Sequence, residues 1–237
     1  MATFALIHGG GDVGWYWHLV APQLRALGHD VVAPDLPCDD DTATLLDYAD
    51  TVVEAIGERR DLLVVAQSYG GFTAPLVADR LPVERVVYVS AMVPVPGEAP
   101  GDWWENTGYR QAVEEQSGLD GGVTGSDDPF VAFFNGVPRA LAEEAMSNER
   151  SESEAAYQSP WPLDSLPAVP ASFVVCTEDR FFPAPFMRHV AAERLGVVPD
   201  EIAAGHCVAL SHPQLLTNLL HGYARAARVH GGDGRER

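Results

Sequence analysis

The chain has 237 residues, 46% of them hydrophobic and 21% charged, which is enough to bury one substantial core and too few for two full-sized domains. Its formal net charge is −19 and all fifteen basic residues are arginines. That acidity argues against nucleic acid, anionic membranes and polyanionic substrates as partners, and the lack of lysine removes any Schiff-base or general-base lysine mechanism.

Three widely spaced cysteines, Cys38, Cys176 and Cys207, make neither a disulfide framework nor a zinc site, so no metal and no cofactor are expected. The opening MATFALIHGGG has no basic leader and too few consecutive apolar residues for a signal peptide or membrane helix. The expected setting is the reducing cytoplasm. A small molecule is the expected partner, and the oligomeric state stays open, a homodimer included.

Thr3 to His8 (TFALIH) is an apolar run that stops at three glycines, as a buried parallel strand entering a loop does. Val20, Leu24 and Leu27 follow at helical spacing, with Pro22 early and Gly28 as the stop. Asp30 to Pro34 reads as a second strand. Leu45, Ala49, Val52, Val53 and Ile56 form the stripe of a second helix, with Thr42 as its N-cap and Gly57 as its end. Asp61 to Ala66 is a third strand, Tyr69 to Arg80 a third helix and Arg85 to Ser90 a fourth strand.

Such alternation predicts an α/β fold, a doubly wound and mostly parallel six-stranded sheet. After Met92 the pattern breaks into Pro- and Gly-rich sequence, then an aromatic cluster (Phe130, Phe133, Phe134) and a helical acidic stretch over Arg139 to Glu149. Residues 94–161 are therefore expected to form an inserted helical cap on a core made of 1–93 and 162–237. The alternation resumes with a strand at Ala171 to Cys176, a helix over Ala184 to Leu195, a short strand at Val198 to Ile202 and a last helix opening at Pro213. The closing GGDGRER reads as a frayed end.

Ligands of open parallel sheets bind outside the carboxyl ends of the strands. Four loops stand there: His8 to Gly11, Gln67 to Tyr69, Thr177 to Arg180 and Gly205 to Cys207. They bring a serine, a carboxylate and a histidine in chain order. Ser68 sits in VVAQSYGG, one residue short of G-x-S-x-G because Ala66 holds the first glycine position. The sharp strand-to-helix turn needs only small residues two before and two after the serine, so small-x-Ser-x-Gly states the requirement. His206 would take the hydroxyl proton and Asp179 would fix and balance the imidazole. The N–H groups of Gly10 and Tyr69 would form the oxyanion hole. Gly9, Trp104 and Phe134 are expected in the substrate pocket.

Together HGGGDVGWYWHLVAPQLRALGHDVVAPDL, VVAQSYGG, TEDRFFPAPF and GHCVALSHP resemble the α/β-hydrolase superfamily, in particular the small esterases and hydroxynitrile lyases of plants and their bacterial relatives. The resemblance covers nearly everything except the cap. It implies Ser68, Asp179 and His206 as a catalytic triad, Gly10 and Tyr69 as the oxyanion hole, and a lid over the site. Two departures narrow the choice. S-selective lyases of that group carry a lysine after the catalytic histidine where this chain has Cys207, and the R-selective branch has an asparagine where this chain has Gly9. Hydrolysis by a serine carboxylesterase, on a small apolar or aromatic ester, is the expectation that results. A lyase or other C–C cleaving relative using the same groups, and a small-molecule receptor on the same fold, are the alternatives.

Each position also has a plainer reading. Ser68 would otherwise cap a helix, His212 rivals His206, Glu178 and Glu98 rival Asp179, and Cys207 would be a packing residue. The glycines after His8 do not complete G-x-G-x-x-G, which removes a dinucleotide loop.

Overall fold

The computed structural model describes residues 1–232, with side chains through 227. Six strands, β1 (Thr3–Ile7), β2 (Asp30–Val32), β3 (Leu62–Gln67), β4 (Val83–Val89), β5 (Ala171–Cys176) and β6 (Asp200–Ile202), form one all-parallel sheet in the order β2-β1-β3-β4-β5-β6. The central strands carry apolar runs, Phe4 to Ile7 in β1 and Leu62 to Ala66 in β3, because both faces are covered there. Ala5, Ile7, Val64 and Ala66 enter one core, and Phe4, Leu6, Leu63 and Val65 the other, the period-two alternation of a pleated strand.

Helices α2 (Leu45–Ile56), α3 (Ala74–Arg80) and α9 (Ala184–Val190) pack into the first core. Helices α1 (Ala21–Ala26), α10 (Val208–Ser211) and α11 (Pro213–Gly232) pack into the second. Between β4 and β5 run α4 (Pro100–Asn106), α5 (Tyr109–Asp120), α6 (Pro129–Ala132), α7 (Arg139–Asn148) and α8 (Glu154–Gln158). A buried ion pair ties the start of this segment to the turn after α9: Arg194 meets Glu98 at 2.5 Å and also donates to the Val93 carbonyl. Among the described residues no helix is long and apolar enough to cross a membrane.

Four local expectations are corrected. The N-cap of α2 is Thr44, which exchanges bonds with Asp47 in a capping box, while Thr42 is held by Asp40 in the preceding turn. The turn after β3 is a 3₁₀ segment, Ser68–Phe72, and α3 begins only at Ala74. Leu27 lies beyond α1 and is 45% exposed; the buried stripe there is Val20, Ala21 and Leu24. Of the closing GGDGRER, Gly231 and Gly232 belong to α11, and residues 233–237 lie outside the described part.

The chain passes from β1 to β2 on one side and then to β3 on the other, so strand order reverses between β1 and β3. A crevice opens at the carboxyl end of such a reversal. Two loops flank it: the glycines after His8 and the serine after Gln67.

Candidate active site

Ser68 has φ of 50°, the left-handed region that a residue with a side chain occupies only under constraint. The constraint is visible on its far side. A Cβ on Gly70 would stand 2.5 Å from the His8 carbonyl oxygen, and one on Gly71 would collide with the Met92 carbonyl. Backbones meet here without side chains between them, and that closeness turns the chain sharply and lifts Ser68 off the sheet. Met92 N–H donates to the Ser68 carbonyl at 2.9 Å, fixing the turn against the strand beyond.

Ser68 and His206 line one cavity of about 290 Å³. Gly9, Gly10, Gly11, Asp12, Gln67 and Cys207 complete its strand-end wall, and Pro129, Phe133, Phe134, Ala145, Glu149 and Arg150 supply the other from the segment between β4 and β5. His206 is 3% exposed, and its Nδ1 lies 2.7 Å from Oδ2 of Asp179, itself 5% exposed. The second Asp179 oxygen accepts from the N–H groups of Phe181 (2.9 Å) and Phe182 (2.8 Å), so the carboxylate is oriented from both sides. Three rings, Phe133, Phe181 and Phe182, stand edge-on to the imidazole at 5.1 to 5.6 Å and keep water from it.

Since Asp179 claims Nδ1–H, Nε2 of His206 carries the free lone pair. That lone pair accepts from Gln67 Nε2 at 3.0 Å. Among the described hydrogen bonds none joins the Ser68 hydroxyl to His206.

The rival residues lie elsewhere. Glu178 is exposed, Glu98 is spent on Arg194, and His212 makes its ring contact with Ser211. Cys207 borders the cavity, but burial, with Asp12 and Asp179 adding to it, pushes its thiol well above the usual range, which keeps it un-ionised and a poor nucleophile.

The glycine loop is set by His8. Its Nδ1–H donates to the Gly9 carbonyl at 2.8 Å and its Nε2 accepts from Leu36 N–H at 3.1 Å. The bond accepted at Nε2 needs the neutral ring, and burial lowers this histidine to about 4. Gly10 stands beside Tyr69: a Cβ there would be 3.4 Å from that of Tyr69. Tyr69 is the second residue of its 3₁₀ turn, where N–H groups have no acceptor within the turn.

Of the expected pocket residues, Gly9 and Phe134 line the cavity and Trp104 does not. Trp104 packs at 6.0 Å against both Phe181 and Phe182 on the side away from His206, and faces a separate surface groove with Tyr109 and Tyr157. The two phenylalanines form a partition between them. Sequence reasoning missed Gln67, Phe133, Asp12, Glu149 and Arg150. Gln67 in the loop after the third strand, Phe133 in the aromatic cluster and Asp12 directly after the glycines each carried a positional signal, whereas Glu149 and Arg150 carried none. Its carboxyl is pushed up to about 7 by burial, with the Glu149 carboxylate adding to the rise.

Residues 4–219 match the sequence model of the alpha/beta hydrolase family. The chain is 26% identical over 254 residues to norfluorocurarine synthase 1 of Strychnos sp, covering 93% of this chain and 94% of that protein. It is also 26% identical over 258 residues to methylesterase 3 of Arabidopsis thaliana, covering 91% and 93%. The crystal structure of polyneuridine aldehyde esterase shares the fold with a TM-score of 0.76 at 21% identity, over 94% of this chain and 99% of that one. Sheet order, the strained serine and a match that spans nearly the whole length agree: this chain belongs to the alpha/beta hydrolase family.

Proposed function

We propose that the chain is a carboxylesterase that cleaves a small apolar or aromatic ester through an acyl-Ser68 intermediate, with residues 94–161 as a cap over the site. The observation that carries this reading is a strained serine sharing one cavity with a buried histidine whose Nδ1 is bound by a buried carboxylate. Similarity to a methylesterase supports an ester as the substrate. With no lysine in the chain, the cyanide-handling group of the S-selective lyases has no counterpart.

In this reading Ser68 Oγ attacks the carbonyl carbon while His206 Nε2 takes its proton, and Asp179 stabilises the imidazolium that forms. The N–H groups of Gly10 and Tyr69 hold the oxyanion. The imidazolium returns the proton to the departing alcohol. Water, deprotonated by His206, then attacks the acyl-serine and releases the acid. Phe133 and Phe134 offer an apolar wall to the acyl or alcohol part, a surface that selects by shape and area more than by polarity. The three buried free thiols fit a reducing compartment such as the cytoplasm.

Wild-type protein is expected to hydrolyse p-nitrophenyl acetate and to be labelled at Ser68 by a fluorophosphonate, and Ser68→Ala to lose both while keeping its unfolding temperature. Full turnover in a folded Ser68→Ala would overturn the assignment.

A further inference from the structure

We propose that Gln67 is a positioning residue that latches the base by holding its Nε2 lone pair and must release it before Ser68 can be deprotonated. The inference rests on the esterase reading above.

Gln67 is the last residue of β3, and its side chain is 2% exposed. The carboxamide is wedged between two fixed surfaces. On one side its Nε2 lies 3.0 Å from His206 Nε2 and 3.5 Å from the His206 carbonyl oxygen. On the other its Oε1 lies against Gly9, where any Cβ would collide with it. The orientation of the amide follows from its surroundings. Asp179 holds the proton on Nδ1, so Nε2 presents a lone pair, and an amide oxygen facing that lone pair would repel it. Gln67 therefore donates.

An imidazole nitrogen has one in-plane lone pair. While Gln67 occupies it, the Ser68 hydroxyl has no base. The resting ring is thus held at both nitrogens, by Asp179 and by Gln67, at the angle catalysis needs, but without general-base capacity. A substrate entering between Gly9 and His206 takes the space of the carboxamide. Displacement frees Nε2 for Ser68 in the same event that delivers the ester, and no covalent bond changes in this step.

The test compares wild type with Gln67→Met, which keeps the volume and removes the donor, by rates of Ser68 phosphonylation with a small fluorophosphonate from pH 5 to 9. Gln67→Met is expected to react about 2- to 10-fold faster at pH 9, the worth of one net neutral hydrogen bond. A structural filler would slow the reaction or leave it alone, and either result overturns the latch while leaving the esterase reading intact. Absence of labelling in wild type overturns both. Should Gln67→Met not fold, a crystal structure of phosphonylated wild type decides: Gln67 Nε2 out of hydrogen-bond reach of His206 Nε2 supports the latch, and a retained contact refutes it.

Discussion

Ser68 and Phe134 line one cavity from opposite sides and owe their places to different kinds of constraint. Ser68 follows β3, which is paired along its length with β1 on one side and β4 on the other, and its turn is pinned by glycines with no spare space. Phe134 belongs to a run of short helices, one of which, α5, buries none of its residues. That segment is joined to the sheet half by individual contacts in place of strand pairing: Arg150 N–H donates to the Gly11 carbonyl at 2.9 Å, Asn135 Nδ2 donates to the Glu178 carbonyl at 2.8 Å, and Trp103, Trp161 and the Glu98–Arg194 pair are buried. The sheet half therefore fixes the groups proposed to react, and the helical half shapes the space beside them.

The largest contrast should appear in turnover. Asp179→Asn is expected to lower kcat on the order of 10⁴-fold, because the imidazole loses the partner that sets its tautomer. Trp104→Ala, on the far side of the Phe181 and Phe182 partition, should stay within a few-fold of wild type. Steady-state kinetics on one p-nitrophenyl ester checks both, and a Trp104 effect matching that of Asp179 would erase the distinction between the halves.

Stability against pH comes next, and its sign differs between two residues of one loop. His8 is lowered to about 4 in the folded chain, against an ordinary value near 6.5, so the stability it contributes is present above pH 6.5 and lost as pH falls toward 4. Asp12 is raised to about 7, so its contribution is present at acid pH, below the ordinary carboxylate range, and lost as pH rises through 7. Between pH 4 and 6.5 the two contributions run in opposite directions and offset each other, so urea unfolding of the wild type should change little with pH across that window. Asp12→Asn should unmask a stability that rises with pH up to 6.5, and His8→Gln one that falls as pH rises toward 7.

The smallest effects compare two glycines. Gly71→Ala forces a methyl group into the Met92 carbonyl and should destabilise the chain by about 1–3 kcal/mol. Gly118→Ala, in α5 with nothing within 4 Å of its would-be Cβ, should stabilise it by about 0.5–1 kcal/mol through helix propensity. Urea midpoints at fixed pH report both. A destabilising Gly118→Ala would mean the helical half is packed more tightly than its contacts imply.

What the sequence revealed divides along the same line. The strands before Ser68 and Asp179 stood out because burial on both faces makes them apolar runs, and His206 was placed after a shorter strand, Asp200–Ile202, of which only Ile202 is buried. Asp179 could not be separated from Glu178 by pattern alone, since which neighbour turns inward depends on the amides of Phe181 and Phe182. Trp104 was misplaced because aromatic content does not say on which side of a partition a ring falls. Gln67 went unread for a different reason. It was one of the two unspecified positions in small-x-Ser-x-Gly, and its partner is 139 residues away along the chain.

The helical segment leaves the sheet from β4 and re-enters it on β5, and these strands are direct neighbours, Val89 lying opposite Val174. Its two ends are thus held together by the sheet whatever happens between them. Loop-closure entropy grows only with the logarithm of length, about 0.6 kcal/mol for each doubling. Lengthening an exposed part of this excursion, such as the α5 region, would change the folding free energy by little and leave β1, β3, β5 and β6 in register, whereas Glu98, Trp103 and Trp161 are buried and belong to the core. Substrate range in this chain is therefore a quantity that insertion and deletion can explore cheaply, while the machinery for breaking the bond stays where it is.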